Sequence, residues 1–519
     1  MTDAPPQSAP AARAALAPPS GLTLTQGVAI AVLALLGLRL AAAAAMPLAN
    51  DEILYWRYSK HLGFGFLDHP ALNPAMIKLG TSLFGDSPFG VRVMAVLSGL
   101  PATWAVWRAA TLLSSDARTG LYAALFFNLT LAMSIGGLIA TSDSAVMMTC
   151  ALLLFAIAKL TTSQNGVWWL AVGACVAFGM YAKYTAVFLG LGVVAWMAME
   201  PTMRRWFASL WPYLGAVLSL GLFAPVLAWN AEREWASFAY QSSRMAVHNL
   251  EPKFIAEFIA SQIGLTTPAV FVLVVLGLAL KPPGGPAPRL LLACLILPLM
   301  GLFLAQSTHE RVQGNWPMVV YPVMAIAAAL GWRHAGATGG AALWARWSGR
   351  LAAPFTFVLT AVVLAHAVFA ILPLKRDPVA RELSLGFDRV AVAMERQRET
   401  IGAKAILSPE YSTTILLSFY GRPDGAYHQV NERVRWSNEP TPNPALFDGP
   451  ILFANRLDVT MERKLRKRFA EVEKLETIRR FARGRPYETY ELWRVAKPIG
   501  PALNPMFPIR LKEVQYEDL

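Results

Sequence analysis

Residues 50–79 read NDEILYWRYSKHLGFGFLDHPALNPAMIKL and directly follow a long apolar segment. The stretch combines acidic, basic and histidine side chains with many aromatic residues. A carboxylate at the edge of a bilayer is costly, so Asp51, Glu52 and Asp68 indicate a functional site by default. The alternative is that each is a helix-end carboxylate in water at the membrane surface. Because two acids and then Asp68-His69-Pro70 lie beside one membrane face, the pattern favours a site.

The composition around this stretch is that of a polytopic membrane protein. The chain has 519 residues, of which 55% are hydrophobic and only 15% are charged. A net charge of +13 in such a chain is typical of membrane topology and contact with anionic lipid, and no nucleic-acid motif accompanies it. The cysteines Cys150, Cys175 and Cys294 lie inside apolar runs, which predicts neither a disulfide framework nor a zinc site.

The apolar runs predict about eleven membrane spans. Residues 1–21 are rich in Ala and Pro and are predicted to form a disordered cytoplasmic tail. Residues 22–48 form the first span, because this run is longer than the hydrophobic region of a signal peptide and more spans follow. Ten further runs can each cross roughly 30 Å of hydrocarbon: 88–113, 119–139, 143–162, 166–182, 185–200, 210–230, 254–280, 289–306, 317–334 and 351–373.

The charges between the spans predict the orientation. With the N-terminus in the cytoplasm, the inner loops hold mostly Arg and Lys, which agrees with the positive-inside rule. Most acids fall in the outer loops: Asp51, Glu52, Asp68, Asp86, Asp143, Glu232, Glu234, Glu251, Glu257 and Glu310. The sequence therefore predicts a carboxylate-bearing surface on the outer face.

The composition changes near Lys375, where charges become dense and the apolar runs shorten to strand length. This change predicts a soluble extracytoplasmic α/β domain over residues 375–519. The predicted organisation is then a tail over residues 1–21, a membrane domain over residues 22–374 with outer juxtamembrane helices in the loop 47–87, and the C-terminal domain.

The charged residues on the predicted outer face suit one class of reaction. A carboxylate can act as a general base towards a hydroxyl group, and Lys or Arg can stabilise the charge that develops on a departing phosphate. The chain has no Gly-rich nucleotide-binding loop. The energy of the reaction must therefore lie in the substrate, and a lipid-phosphate-linked sugar meets this requirement outside the cytoplasm.

Several motifs resemble the GT-C membrane glycosyltransferases. Asp51-Glu52 ends the first span, Phe66-Leu67-Asp68-His69-Pro70 follows about fifteen residues later, and then come Phe84-Gly85 and Gly90-Val91-Arg92. Later segments agree with this resemblance: Thr141-Ser142-Asp143, Tyr181-Ala182-Lys183-Tyr184-Thr185 and Gln313-Gly314-Asn315-Trp316-Pro317. The branch they resemble contains the bacterial relatives of the protein O-mannosyltransferases and of the lipid A aminoarabinose and galacturonic acid transferases. The resemblance implies a GT-C fold.

The resemblance also implies roles for individual residues. Asp51 matches the acid regarded as the catalytic base, Glu52 is the second member of that acidic pair, and Asp68 belongs to the second polar motif of the family. These three acids are the catalytic candidates. Here Ala71 replaces the second proline of that motif and no lysine follows the acid, so phosphate contact passes to His69 or Lys183. The substrate-binding candidates are His69, Lys60, Asp143, Lys183, Tyr184, Arg311 and Asn315. The metal requirement is unknown, and Asp51 and Asp143 are the candidate ligands if a divalent ion binds.

Each of these residues also has a purely structural interpretation. Asp51 can cap a helix, Glu52 can interact with a helix dipole, and Lys183 can extend to the membrane interface. Trp316 beside Pro317 is typical of an interfacial aromatic residue before a proline-started helix.

The resulting hypothesis is an inverting glycosyltransferase of the bacterial inner membrane. It takes a sugar from a polyprenyl-phosphate donor and passes it at the periplasmic face to an envelope acceptor, which is lipid A, lipopolysaccharide or another glycan. The alternatives are a protein O-glycosyltransferase of the same fold, a transporter or flippase for a lipid-linked sugar, and an assembly subunit. The sequence does not identify the sugar, the acceptor or the oligomeric state, and it indicates no nucleic-acid partner.

Overall fold

The computed structural model describes residues 22–244, 250–280, 288–335, 339–374, 377, 379 and 382–508. The predicted disordered tail, residues 1–21, lies outside the described residues, as does Lys375, where the C-terminal domain is predicted to begin.

Sixteen α-helices occupy the described part of residues 22–374. They are α1 Leu24–Ala45, α2 Asn50–Lys60, α3 Leu72–Phe84, α4 Pro88–Ser114, α5 Ala117–Asn128, α6 Leu131–Gly136, α7 Ser142–Ser163, α8 Trp168–Ala182, α9 Val187–Met199, α10 Trp211–Ala231, α11 Ala236–Ser243, α12 Lys253–Thr266, α13 Pro268–Ala279, α14 Arg289–Gln306, α15 Tyr321–His334 and α16 Gly340–Phe369. Short 3-10 helices precede α9, α10 and α15.

Polar residues explain where several helices begin. Thr23 and Gln26 form a capping box at the start of α1, which satisfies two backbone N–H groups that have no partner inside the helix. The Ser87 hydroxyl accepts a hydrogen bond from the Gly90 N–H, and Pro88 follows as the first residue of α4. The Asp116 carboxylate accepts hydrogen bonds from two backbone N–H groups of the first turn of α5. Local sequence therefore determines these boundaries.

The protein is a multi-pass membrane protein. Among the described residues, α1, α4, α7, α10, α14 and α16 are long and apolar enough to cross a membrane, and α12 with α13 would make a seventh span. Two shorter apolar helices cover Trp168–Ala182 and Tyr184–Met199. Every predicted span contains helix, but the predicted span 119–139 is divided into α5 and α6, and the predicted span 254–280 bends by 99° between α12 and α13. The predicted count of eleven stays a prediction.

The bend between α12 and α13 has a local cause. Thr267 has a φ of 69°, in the left-handed region, and Pro268 follows it. Proline lacks the N–H that would continue the helix and disfavours helical geometry in the residue before it. The chain therefore leaves α12 at Thr266 and begins α13 in a new direction.

Glycine residues allow α13 and α15 to approach closely. A Cβ added at Gly277 would lie 1.8 Å from the carbonyl oxygen of Ala327, and one added at Gly331 would lie 2.1 Å from that of Leu273. Small residues permit backbone contact of this kind between membrane helices, where dispersion contacts replace the hydrophobic effect as the driving force for packing. The α13/α15 contact thus depends on the absence of side chains at two positions.

Residues 387–508 form an α/β unit, which we call the C-terminal unit. Its helices are α17 Phe387–Thr400, α18 Tyr411–Tyr420 and α19 Met461–Arg466, and its strands are β1 Ala405–Ser408, β2 Ala426–Gln429, β3 Ile451–Arg456, β4 Phe469–Ala482 and β5 Arg485–Pro498. The strand order is β2-β1-β3-β5-β4. Strand β1 pairs in parallel with β2 and with β3, whereas β5 pairs antiparallel with β3 and with β4. In the register, Ile406 lies opposite Leu452 and Phe453 lies opposite Trp493.

The two faces of this sheet have different partners. Ile406 and Leu452 point into a cluster that includes α17, α18 and residues of α2. Their neighbours Leu407 and Phe453 point to the opposite face and pack with α19. This alternation follows from the two-residue period of a strand. One face of the sheet is thereby joined to the membrane domain through α2.

Specific polar contacts hold the C-terminal unit on the membrane domain. The Arg57 guanidinium of α2 donates to both carboxylate oxygens of Glu439, at 2.7 and 2.8 Å. The Asn438 amide donates to the Gly65 carbonyl and accepts from the Trp229 indole N–H, both at 2.9 Å. At the turn between β4 and β5, Arg483 donates to the last carbonyl groups of α16. The C-terminal unit is therefore bound to α2, to the following loop and to α16.

Candidate active site

A cavity of about 380 Å³ is enclosed by α2, the loop before α3, the starts of α7 and α9, and parts of α11 and α14 with the segment 313–316. The C-terminal unit contributes Tyr411 to its lining. It brings together seven residues predicted from the sequence: Asp51, Asp68, His69, Asp143, Lys183, Tyr184 and Asn315. It is also lined by residues that the sequence analysis did not assign, among them Tyr240, Gln241, Arg244 and Tyr411. These side chains come from distant parts of the chain, and the fold places them around one space.

Asp51 lies in the first turn of α2 and faces the cavity. Its surface is exposed to the cavity, but protein surrounds the carboxylate on its other sides. This desolvation, together with the negative charges of Asp68 and Glu382, raises the pKa of Asp51 to about 6. At neutral pH the group is therefore mostly ionised but far more basic than an ordinary aspartate, as a general base requires.

Asp68 has the opposite environment. Its carboxylate accepts a hydrogen bond from the Tyr58 hydroxyl at 2.6 Å and pairs with Arg435 of the C-terminal unit at 2.5 Å. Burial alone would raise its pKa, but the positive charge of Arg435 and the hydrogen bond from Tyr58 outweigh burial and lower the pKa of Asp68. Asp68 is therefore an anion at neutral pH, and its charge increases the basicity of Asp51.

His69 lines the cavity as a neutral imidazole. Burial and the nearby positive charge of Lys183 lower the pKa of His69 to about 4. Its Nδ1 atom is buried and has no hydrogen-bond partner among the described residues. At neutral pH His69 can therefore donate or accept a hydrogen bond with a substrate group, but it does not supply a positive charge for a phosphate.

Asp143, Lys183 and Asn315 form a connected group on another side of the cavity. The Lys183 Nζ atom lies 2.7 Å from Asp143 Oδ1 and 3.3 Å from the Asn315 carbonyl oxygen. The Asn315 amide donates to Asp143 Oδ2 at 2.8 Å. Lys183 has an extended backbone just after α8 ends, which directs it inward rather than along a helix surface. The negative charge of Asp143 therefore weakens the attraction of Lys183 for an anionic ligand.

Tyr184, the next residue, is held by its hydroxyl group. The hydroxyl lies 2.9 Å from that of Ser237 and 3.5 Å from the Asn230 amide nitrogen. Its ring stands 6.4 Å from the ring of His69. Tyr184 therefore forms a fixed aromatic wall of the cavity.

The structure corrects the assignment of Glu52. This side chain is fully buried and does not line the cavity. It forms a two-pronged ion pair with Arg92, at 2.7 and 2.5 Å, and accepts hydrogen bonds from the backbone N–H groups of Ala49 and Ala140. All its strong acceptor positions have protein partners. Glu52 therefore connects α2, α4 and the segment before α7, and it has no place in the lining of the cavity.

The predicted cations Lys60 and Arg311 also lie outside the cavity. Lys60 pairs with Asp86 at 2.6 Å, and its charge lies 4.9 Å from the Trp56 ring. Arg311 is 75% exposed in its side chain and pairs with Glu257. Each cation has a carboxylate near it on the surface, which a prediction based on the membrane face alone does not detect. The structure therefore does not support either residue as a substrate-binding residue of this cavity.

Arg244 is a cation of the cavity that the sequence analysis missed. It ends α11 and stacks over the Trp316 ring, with its guanidinium carbon 5.0 Å from the ring centre. Among the described residues it forms no ion pair. An arginine presents several N–H donors that match a phosphate group. Arg244 is therefore the better candidate for an anionic substrate group than Lys183, whose charge is already offset.

The described residues contain no group of three or more His, Cys, Asp or Glu side chains able to hold a metal ion. Asp143, one of the two candidate ligands, is bound by Lys183 and Asn315. The side chains of the cavity thus do not fit a divalent metal site built on Asp51 and Asp143.

The comparisons with known proteins agree on the class. A family model described as dolichyl-phosphate-mannose-protein mannosyltransferase matches residues 68–229. The structure of ArnT from Cupriavidus metallidurans bound to undecaprenyl phosphate matches with a TM-score of 0.63 at 14% identity, over 93% of this chain and 100% of that chain. Arabinofuranosyltransferase AftD from Mycobacteria matches with a TM-score of 0.50 at 16% identity, over 92% of this chain and 40% of that chain. The chain therefore has the GT-C fold of these membrane glycosyltransferases.

Within this class, one curated protein is similar in sequence. The undecaprenyl phosphate-alpha-4-amino-4-deoxy-L-arabinose arabinosyl transferase 1 of Pseudomonas fluorescens is 26% identical over 204 residues, which are 38% of this chain and 34% of that protein. The matched region thus spans about a third of the length of this relative.

Proposed function

We propose that this protein transfers a sugar from a polyprenyl-phosphate carrier to an acceptor at the periplasmic face of the bacterial inner membrane. The observation that carries the proposal is a single cavity that combines a basic carboxylate, Asp51, with Arg244, a cation that forms no ion pair within the described part of the chain. The similarity to an undecaprenyl-phosphate-dependent arabinosyl transferase supports the donor class.

In the proposed reaction, Asp51 removes the proton of an acceptor hydroxyl group while its oxygen attacks the anomeric carbon of the sugar. The bond between this carbon and the phosphate oxygen breaks, and the bonding electrons leave with polyprenyl phosphate. A single displacement of this kind inverts the configuration at the anomeric carbon. Arg244 and Lys183 stabilise the phosphate charge, and the neutral His69 orients a hydroxyl group. The chain would cross the membrane about eleven times, with the C-terminal unit in the periplasm.

The acceptor belongs to the cell envelope. The resemblance of the chain's motifs to those of the lipid A aminoarabinose and galacturonic acid transferases supports lipid A or another glycan. The match over residues 68–229 to a family described as protein mannosyltransferases supports a protein hydroxyl group as the alternative.

The test uses membranes from cells that carry the wild-type protein, Asp51→Asn or Asp86→Asn. Asp86→Asn is the matched control, because Asp86 is exposed in the same part of the chain and pairs with Lys60 away from the cavity. Mass spectrometry of envelope lipids, polysaccharides, proteins and lipid carriers is the readout.

We expect Asp51→Asn, at normal protein levels, to remove one sugar from one envelope molecule and to cause its polyprenyl-phosphate donor to accumulate. Asp86→Asn should leave both unchanged. If the glycans and donors of all three strains are the same, the catalytic assignment of Asp51 fails and a transporter or assembly role becomes the better explanation. If glycan loss occurs without accumulation of the donor on the periplasmic side, the flippase is the better explanation.

A further inference from the structure

The C-terminal unit contributes a charged residue to the site through Arg435. Its side chain is 2% exposed. The guanidinium pairs with Asp68 at 2.5 Å and with Glu432 at 2.8 and 3.0 Å, and its carbon lies 4.6 Å from the centre of the Tyr411 ring. A buried arginine of this kind is strongly desolvated and is tolerated only because carboxylates compensate it. One cation thus serves two acids, and only one of them, Asp68, lines the cavity.

The backbone around Arg435 supports a role beyond packing. Arg435 lies in a 3-10 helix, Arg433–Trp436. The residue before this helix is Glu432, whose backbone φ is 51°. A left-handed conformation is uncommon for a glutamate, and such residues are enriched at functional sites. The Trp436 indole N–H donates to the Gln429 amide oxygen at 3.0 Å and fixes the end of this turn. The turn is therefore held in a conformation that directs Arg435 towards Asp68.

We propose that Arg435 is a positioning residue of the site, which holds Asp68 aligned and ionised beside the proposed base Asp51. This inference rests on the proposed function, in which Asp51 is the catalytic base. It assigns the C-terminal unit a part in the chemistry, because the charge next to the base is controlled by a residue from outside the membrane domain.

Docking of the two domains does not by itself explain this contact. Arg57 of α2 already forms a buried, two-pronged ion pair with Glu439 of the C-terminal unit. That pair does not line the cavity. If Arg435 served docking alone, its loss would resemble the loss of Arg57. The two arginines therefore form a matched pair for an experiment.

The charges that act on Asp51 define the expected effect. The groups facing it are Asp68 from the loop before α3, Glu382 before the C-terminal unit, Arg244 at the end of α11 and Asp143 at the start of α7. Asp68 in turn faces Arg435, Tyr58 and His69. Removing Arg435 leaves Asp51 and Asp68 as two neighbouring acids without that counter-charge. They then titrate as a pair, and the upper pKa of the pair is raised by about one unit or more.

The experiment measures the titration of Asp51 without requiring enzymatic activity. Four proteins are prepared with and without Asp51→Asn: the wild type, Arg435→Gln, Arg435→Lys and Arg57→Gln. For each of them, the difference in Tm between the versions with and without Asp51→Asn is measured from pH 4 to 8. Because the pKa of Asp51 is higher in the folded state than in the unfolded state, the folded protein binds a proton more readily. The Asp51 side chain therefore lowers stability increasingly as the pH rises towards its folded-state pKa. The Tm difference should therefore grow with pH and level off near pH 6 in the wild type.

We expect Arg435→Gln to raise the pH at which the Tm difference levels off by about one unit, and Arg435→Lys to raise it less. Arg57→Gln should lower Tm but leave this pH unchanged. Glu432→Gln provides a variant that keeps Arg435, and it should move the plateau downward, because Arg435 then serves Asp68 alone. Plateaus at the same pH in all these backgrounds would overturn the proposal. Absence of sugar transfer by the wild type would overturn the proposed function but would leave this titration readable.

Discussion

Asp51 and Glu52 are adjacent in the sequence, but their carboxylates face opposite environments. Asp51 lines the cavity, whereas Glu52 is fully buried against Arg92. On a helix, successive side chains point about 100° apart, since the helix has 3.6 residues per turn. One acidic pair therefore supplies both a candidate base and a structural ion pair.

Glu52→Gln should destabilise the protein by about 3–5 kcal/mol, since it leaves the Arg92 guanidinium buried without a counter-charge. The free energy of unfolding in detergent measures this effect. Asp86→Asn is the control and should change stability by less than about 1 kcal/mol, because its ion pair is exposed. A Glu52→Gln protein as stable as the wild type but without activity would return Glu52 to the catalytic residues.

The pH dependence of transfer should report Asp51. Because its pKa is raised to about 6, the reactive carboxylate is lost as the pH falls below this value. We expect kcat/KM to fall about tenfold for each pH unit below 6. His69, whose pKa is about 4, should add no change between pH 5 and 7. The residual rate of Asp51→Asn should not vary over this range, and a wild-type rate that is equally flat would contradict the role of Asp51 as a base.

Lys183→Met should destabilise the fold by about 3–5 kcal/mol, because Asp143 would remain buried without a cation. Adding Asp143→Asn should recover more than half of this loss, since both charges are then absent. A double-mutant cycle on the free energy of unfolding measures the coupling. Effects of the two substitutions that simply add would show that the pair is not coupled.

Arg244→Gln should weaken donor binding with little effect on stability. Arg244 makes no ion pair among the described residues, and it contacts the Trp316 ring through its guanidinium. Loss of a charge-assisted contact to phosphate should raise the KM for the polyprenyl-phosphate donor by about 10- to 100-fold. Arg311→Gln is the control, because Arg311 is exposed and lies outside the cavity. Equal KM values for both variants and the wild type would exclude Arg244 from phosphate binding.

Gly277→Ala should destabilise the membrane domain by about 1–3 kcal/mol, because the new methyl group would force α13 away from α15. Gly301→Ala in α14 is the matched control. A Cβ there meets no atom within 4 Å, and alanine is the better helix former. Thermal unfolding in detergent distinguishes the two, and a neutral Gly277→Ala would show that the two helices can separate without loss.

The membrane helices and part of the site can be predicted from the sequence for physical reasons. Apolar runs determine where helices occur, and Asp51, Asp68, Asp143 and Lys183 are charged residues beside such runs. The bend at Thr267 is less visible, because the apolar composition continues through it. Glu52 could not be distinguished from Asp51, since which of two adjacent acids meets Arg92 depends on how α2 packs on α4.

Arg244, Arg435 and Tyr411 could not be predicted as site residues. Each belongs to a segment whose local pattern indicates nothing unusual. Arg244 and Tyr411 reach the cavity, and Arg435 reaches Asp68, only through tertiary packing. Lys60 and Arg311 illustrate the opposite error. They lie near the predicted face, but a nearby carboxylate binds each of them, and the sequence does not specify such pairs.

The contact between Asp68 and Arg435 joins residues that are 367 positions apart. A ribosome that adds 5 to 20 residues per second needs roughly 20 to 70 s to synthesise the intervening chain. The membrane helices can insert during that interval, but the acid of the second motif still lacks its counter-charge. Completion of the site is thus delayed until Arg435 has been synthesised, and a chain that stops before this residue would occupy the membrane without a completed site.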